Sequence, residues 1–314
     1  MTAGAMRVIA VVNMKGGVGK TSTVVSLADA LGTATDQAVL VIDVDTQASA
    51  SYSLVGDRIR DVISKGRTID TYLRETLLEG KTPNFSDHIT RMVSNTKARN
   101  KAANISLLAS STDLRVSERE IIRHLTNSGE TLDGVEVRIK NTLQRQLASL
   151  NGEFGYVIID CAPGISPFTA SAIGLADLVI VPTIPDFLSN LGLESFLANL
   201  GPNLPRPVAV RKPRVLFTRS QARGKKTRIF NLQKKKNELV NVHKKFEDDI
   251  RARSRKASSI FKVFETPIDE SPAMPAAMSM GAVLGKTVTF QQKYPGRLGE
   301  QVVSVKDEVL EAIA

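Results

Sequence analysis

Nine consecutive residues, Asn13-Met14-Lys15-Gly16-Gly17-Val18-Gly19-Lys20-Thr21, follow an apolar run and lead into a helical pattern. Strand, glycine-rich loop and helix in that order make a site for phosphate chemistry. The glycines leave backbone N–H groups free to wrap phosphate oxygens, and the helix N-terminus adds a positive dipole. In such a loop Lys20 reaches the β- and γ-phosphates and Thr21 offers its hydroxyl to Mg2+, with the backbone from Lys15 through Gly16, Gly17, Val18 and Gly19 to Ser22 as the cradle. Three carboxylates accompany it. Asp43 and Asp45 close the apolar run 38–42, and alternation along an extended chain puts both on one side, where they can act on Mg2+, its waters and an attacking water. Asp160 ends the run Tyr156-Val157-Ile158-Ile159, in position to hold the Mg2+ shell. Acids at strand ends also make ordinary turns, an alternative that stays open for Asp43.

These groups meet only if the strands carrying them lie side by side. Short β-branched runs at 7–12, 38–42, 105–109, 156–159, 178–181, 214–217 and 260–264 alternate with helical stretches, so the fold class is α/β. Several runs lack polar alternates, as expected of strands buried on both faces of a doubly wound, mostly parallel sheet with helices above and below, a three-layer α/β/α arrangement. Ligands in such sheets sit beyond the carboxyl ends of the strands, where the loops after 12, 42, 159, 181 and 217 converge. After the phosphate loop, 21–31 has a helical apolar stripe (Val24, Val25, Leu27, Ala28, Leu31), with Gly32 expected as its C-terminal cap. Residues 51–104 read as a polar, variable excursion, helical around 69–78, and 202–213 as a proline-rich extended connection. No internal repeat appears, and 6–314 is expected to form one domain.

Composition narrows the classes. Apolar residues make 42% and charged residues 24% of the 314, ordinary for a soluble protein, and no run approaches the roughly 18 apolar residues of a membrane span. With a strand opening at Arg7, no secretory leader is expected, which points to a cytoplasmic location. One cysteine, Cys161, excludes an internal disulfide, and with no histidine nearby in sequence a small buried thiol is favoured over a nucleophile. The net charge of +10 is regional: 206–262 holds 19 Lys or Arg against 4 Asp or Glu, a local +15 that leaves −5 for the remainder. A basic block on a mildly acidic body suits a polyanion-facing surface, with a merely solvated helix face as the alternative. Little aromatic interleaving argues against base stacking and favours backbone contact.

The run from Lys15 to Thr21 resembles the phosphate loop of the ParA/MinD family of deviant Walker A ATPases, in which the first glycine is often absent, here Met14, and an additional lysine is the signature. The segment Asp43-Val44-Asp45-Thr46-Gln47 is similar to the family's D-x-D-x-Q, with Thr46 for the usual proline. Asp160-Cys161-Ala162-Pro163 looks like its Walker B, with Ala162 for one of two prolines. Further matches run in order at 105–120, 177–185 and 264–281, where Pro275 replaces a usual acid. The resemblance implies a P-loop NTPase fold, ATP and Mg2+ as cofactors and slow hydrolysis. It gives Asp45 the water-orienting role and Lys15 the role of crossing an ATP-sandwich homodimer to the partner's phosphates. It implies adenine contacts near Thr218, Arg219, Pro267 and Asp269.

Its partners, by the same resemblance, are non-specific duplex DNA and a ParB-like centromere-binding protein, with a nucleoid-associated location. A DNA-reading helix-turn-helix extension is not expected ahead of Arg7. A MinD-like switch acting on a membrane or protein partner is the alternative. It would need a basic amphipathic tail, whereas 301–314 has one lysine and three acids, so no membrane is expected. An iron–sulfur reductase needs two cysteines per chain and is nearly closed.

Overall fold

The computed structural model describes residues 6–35, 37–98, 101–200, 208, 211–220, 230–284 and 287–314, with side chains omitted at 98, 230–241 and 281–284. In chain order the strands are β1 (Arg7–Val11), β2 (Val39–Val44), β3 (Thr96–Ala98), β4 (Lys101–Ala102), β5 (Ile105–Leu108), β6 (Tyr156–Cys161), β7 (Leu178–Thr183), β8 (Arg214–Ser220), β9 (Lys262–Val263), β10 (Ile268–Asp269) and β11 (Val288–Thr289). Eight form one sheet in the order β10-β8-β7-β1-β6-β2-β5, with β9 also on β8. Every pairing in it is parallel. All seven predicted strands lie here, with ends shifted by one to three residues.

The sheet is buried on both faces, which is why its strands lack polar alternates. Along β1, Val8 and Ala10 join one apolar cluster while Ile9 and Val11 join the other. Strand order reverses at β1, which has β6 on one side and β7 on the other. The crevice opened there is where the phosphate loop leaves β1, the ligand position expected of such sheets.

Helix α1 (Lys20–Ala34) runs from the loop past the expected stop at Gly32 and ends at Thr35, whose N–H donates to the Leu31 carbonyl. Gly32 is a packing position, not a cap. A Cβ there would lie 3.0 Å from Ile105 Cγ1 and 3.2 Å from Ala103 Cβ, so its missing side chain lets α1 lie close on β5.

Residues 51–104 are less of an excursion than their polarity suggests. They include the remainder of a helix at Ser49–Val55, helices at Ile59–Ser64 and Ile69–Leu77, and the strands β3 and β4; β3 pairs with both β4 and β11 in a small separate sheet. Leu54, Ile59, Val62, Ile69, Tyr72, Leu73 and Phe85 are all buried in the two cores. The predicted helix around 69–78 is the one at Ile69–Leu77. Most of the proline-rich 202–213 lies outside the described residues.

Behind α1 a fully buried ion pair ties the C-terminal part of the chain to the phosphate-loop helix. Lys293 Nζ lies 2.8 Å from Asp29 Oδ2, the Tyr294 hydroxyl donates to the same oxygen at 2.7 Å, and Lys293 also donates to Asn95 Oδ1 at 2.8 Å. Removing one member leaves the other charge buried without its partner. Lys293→Ala is therefore expected to lower unfolding free energy by about 3–5 kcal/mol, read from the midpoint of a urea titration; a midpoint within error of the parent would deny the pair this role.

Candidate functional site

The loop from Asn13 to Lys20 is pinned at its base. Asn13 Nδ2 donates to the Pro182 carbonyl at 2.6 Å, fastening the loop to the end of β7, and Asn13 Oδ1 accepts from the Lys15 N–H at 2.9 Å. On the far side the Thr218 hydroxyl donates to the Val18 carbonyl at 2.7 Å. Gly17 and Gly19 have φ of 73° and 86°, a region that side chains disfavour, and a Cβ on Gly17 would meet nothing within 4 Å. The loop thus presents bare backbone to a cavity of about 900 Å3, lined by Gly16, Gly17, Gly19, Lys20, Thr21, Ser22 and Asp45 at one end.

Lys20 is buried and its ammonium donates to the Lys15 carbonyl at 3.2 Å, closing the loop over itself. Burial pulls its pKa down, while Asp160 and Asp45 oppose the shift. The Thr21 hydroxyl donates to Asp160 Oδ2 at 2.7 Å, and Asp160 Oδ1 is buried with no hydrogen-bond partner. Burial and then the Asp43 carboxylate push the Asp160 pKa well up. A hydroxyl and an orphaned carboxylate oxygen at the mouth of a phosphate loop fit a magnesium ion shared with a phosphate. Cys161, beside them, is buried, and burial followed by Asp160 raises its pKa well above the usual thiol value, as an inert thiol requires.

Asp43, expected among the metal ligands, is fully buried and bonded to its own segment. Its Oδ1 accepts from the Asp45 N–H at 3.0 Å, and its Oδ2 from the N–H and hydroxyl of Ser51, in the following helix, at 2.8 and 2.7 Å. Burial pushes its pKa up to about 6. Asp45, in contrast, lines the cavity. Alternation put both acids at one pole, but the turn after β2 sends only the second toward the ligand space.

Lys15 also points elsewhere. Its ammonium sits 2.9 Å from the Ser189 hydroxyl and 3.4 Å from both Asp186 oxygens, at the start of the helix Phe187–Leu200. Burial raises the Asp186 pKa, but hydrogen bonds from Ser189 and the Lys15 charge outweigh it and hold the carboxyl below its usual range. Exposed apolar side chains adjoin both partners in sequence, Met14 beside Lys15 and Phe187, Leu188 and Leu191 beside Asp186 and Ser189, with Leu188 67% accessible.

Thr218, Arg219 and Asp269 also line the cavity, Thr218 directly beside the loop, but Pro267 is not among its lining residues. Its neighbour Ile268 lines the wall instead, with Met274, Pro275 and Met278 from the helix Ala273–Leu284 and Val302 and Val305 from the helix Arg297–Ile313. The apolar wall gave no signal near the phosphate loop, since it comes from 268–305, at the opposite end of the chain from the loop it faces.

Of the basic segment, Arg223, Lys225, Lys226 and Arg228 lie outside the described residues, as do the side chains of Lys234, Lys235 and Lys236. Lys244, Lys245, Arg255 and Lys256 are exposed as expected. Arg251 and Arg253 are not free. Arg251 pairs with Glu247 and donates to the Phe264 carbonyl, and Arg253 pairs with Glu194 and Asp249, so both brace the helix Phe230–Ser254 against the body.

A sequence profile of the AAA domain (AAA_31) matches residues 6–202, more than half of the chain and the part holding the loop and all three carboxylates. The chain belongs to the ParA/MinD family of P-loop ATPases. The chromosome partitioning protein ParA of Caulobacter vibrioides is 29% identical over 200 residues, covering 64% of each chain. The match thus spans less than two thirds of that relative's length. Among solved structures, apo McdA from Cyanothece superposes with a TM-score of 0.61 at 20% identity over 97% of this chain and 99% of its own. Cobyrinic acid a,c-diamide synthase from Mycobacterium smegmatis, with bound ADP and magnesium, gives 0.63 at 22% over 98% and 94%. These two share the fold. In this ParA/MinD chain Lys15 and Lys20 face different spaces, the first toward Asp186 and Ser189 and the second toward the Lys15 carbonyl.

Proposed function

We propose that this chain is a partition ATPase of the ParA type: it binds ATP with Mg2+, pairs with a second copy across the nucleotide, holds duplex DNA without sequence preference, and resets by slow hydrolysis to ADP and phosphate. The observation that carries this reading is the division between the two lysines. Lys20 closes the loop that cradles phosphate, whereas Lys15 lies outside that cavity, at 3.4 Å from Asp186, with exposed Met14 next to it in the chain and exposed Phe187 and Leu188 next to its partner. An outward cation in an apolar rim suits contact with another subunit.

In this reading backbone N–H groups from Lys15 to Ser22, with Lys20, grip the triphosphate, and Thr218, Arg219, Asp269 and the Met274–Met278 wall receive the base. Thr21 and Asp160 would hold Mg2+, which when bound neutralises charge developing on the phosphate oxygens. Asp45 faces the cavity and orients the attacking water. Asp43 holds the turn that carries Asp45.

Exposed Lys244, Lys245, Arg255 and Lys256, with the regional charge, support phosphate-backbone contact, and dimerisation doubles that face and raises avidity. The helix Arg297–Ile313 buries Val302, Val305, Val309 and Ile313 in the core, so its apolar stripe is not offered to a lipid surface. Among the described residues no helix is long and apolar enough to cross a membrane. A ParB-like protein is the proposed stimulating partner, and the nucleoid the proposed location.

The test is retention of duplex DNA with ATP, with ADP and with no nucleotide. Only the ATP form is expected to be retained. A dimer that forms with ATP yet ignores DNA would favour a switch acting on a protein or membrane partner. Reversing Lys244 and Lys245 to Glu is expected to weaken retention by roughly tenfold and flatten the plot of log K against log salt by about 0.9 for each phosphate no longer neutralised; unchanged retention would move the DNA-facing surface elsewhere.

A further inference from the structure

The turn that carries Asp45 is held from behind by three buried side chains, none facing the cavity. Asp45 itself donates its backbone N–H to Asp43 Oδ1 at 3.0 Å, and its carbonyl accepts from the Ser110 hydroxyl at 2.8 Å. Ser51 joins the two supports: its hydroxyl donates to Asp43 Oδ2 at 2.7 Å and accepts from the Ser110 N–H at 2.9 Å. Asp43, Ser51 and Ser110 are each fully buried, so none of these bonds exchanges with water.

The turn they hold is tight. The Ala48 N–H donates to the Asp45 carbonyl at 2.9 Å and the Gln47 N–H to Asp45 Oδ1 at 2.9 Å. Ala48 sits at φ 52°, a left-handed conformation that a residue with a Cβ rarely adopts unless its surroundings impose it. A strained turn with both backbone polar groups of one residue fixed by buried partners leaves that residue's side chain little freedom of direction. Here the side chain is a carboxylate on the wall of the phosphate cavity.

We propose that Ser110 and Ser51, acting with Asp43, are positioning residues that fix the direction of the Asp45 carboxylate for turnover and contribute nothing to nucleotide affinity. The proposal rests on the reading of Asp45 as the water-orienting residue. Catalytic geometry tolerates displacements of well under 1 Å, so loosening the turn lowers the rate while the cradle, built on another loop, still binds.

The experiment measures kcat, KM for ATP and thermal midpoint for Ser110→Ala, Ser51→Ala and Ser51→Thr, with Asp45→Ala as reference. Each alanine variant is expected to lose about tenfold in kcat with KM within about twofold, and Ser51→Thr, which keeps the hydroxyl, to recover most of the rate. In an Asp45→Ala background, Ser110→Ala is expected to change nothing further. Folded alanine variants with kcat within twofold of the parent, or losing rate equally with and without Asp45, would overturn the positioning role while leaving the function of Asp45 intact. Full turnover by Asp45→Ala itself would instead remove the reading beneath it, and the proposal with it. If an alanine variant does not fold, the Ser51→Thr rate decides: a loss as deep as tenfold despite the retained hydroxyl counts against the network.

Discussion

Asp45→Ala is expected to lower the rate of phosphate release by on the order of 100-fold or more while ATP binds within a few-fold of the parent affinity. The separation follows from where the residue sits. Asp45 lines the cavity from the loop after β2, and the grip on phosphate comes from a different loop, pinned by Asn13 and Thr218. Removing the carboxylate takes away an interaction needed when water attacks and leaves the cradle whole. That is the kinetic pattern of a group acting in the transition state, a fall in kcat with binding preserved. Steady-state phosphate release paired with equilibrium ATP binding reads both quantities, and undiminished release by the variant would strike Asp45 from the mechanism.

Lys15→Gln is expected to remain folded, to bind ATP through Lys20, and to stay monomeric with ATP in light scattering at concentrations where the parent dimerises. In a single subunit the Lys15 ammonium contacts Asp186 and Ser189, not the nucleotide cavity, so its loss costs the bound nucleotide little. A half-exposed ion pair of this kind, screened by solvent, contributes roughly 1 kcal/mol or less to stability, so folding should survive. A cation that becomes buried against phosphate at an interface is worth about 2–5 kcal/mol, and a symmetric dimer contains it twice. The dimer constant is therefore expected to weaken by well over tenfold. A normal ATP dimer of the variant would leave Lys15 as a surface charge held by Asp186.

How far the sequence speaks depends on whether a signal is local. β1 runs straight into Gly16, Gly17 and Gly19, and Asp160 directly ends an apolar strand, so composition over ten residues sufficed for both. Asp43 and Asp45 look alike in sequence, two acids at a strand end. They part because Ser51, eight residues on, and Ser110, on the segment after the adjacent strand β5, claim Asp43 and the Asp45 backbone. The partner of Lys15 lies 171 residues away at Asp186, beyond any window of periodicity.

Gly32 misled for a related reason: its role is set by Ile105 on another element. The helices at Ser49–Val55 and Ile59–Ser64 span fewer than two turns each and bury only a few side chains, too short to show a 3.6-residue stripe. Arg251 and Arg253 count toward the regional charge of 206–262, yet each is paired, with Glu247 and Asp249 one turn back on the same helix and with Glu265 and Glu194 on other segments.

Everything proposed for this chain depends on a triphosphate being held by bare backbone and Lys20, and that is open to direct measurement. Titration of the purified protein with ATP in the presence of magnesium, followed by calorimetry alongside Lys20→Ala, is the most direct test. Saturable binding by the parent, weakened by at least 100-fold in the variant, is the predicted result. No measurable affinity in the parent, or equal affinity in both proteins, would contradict it.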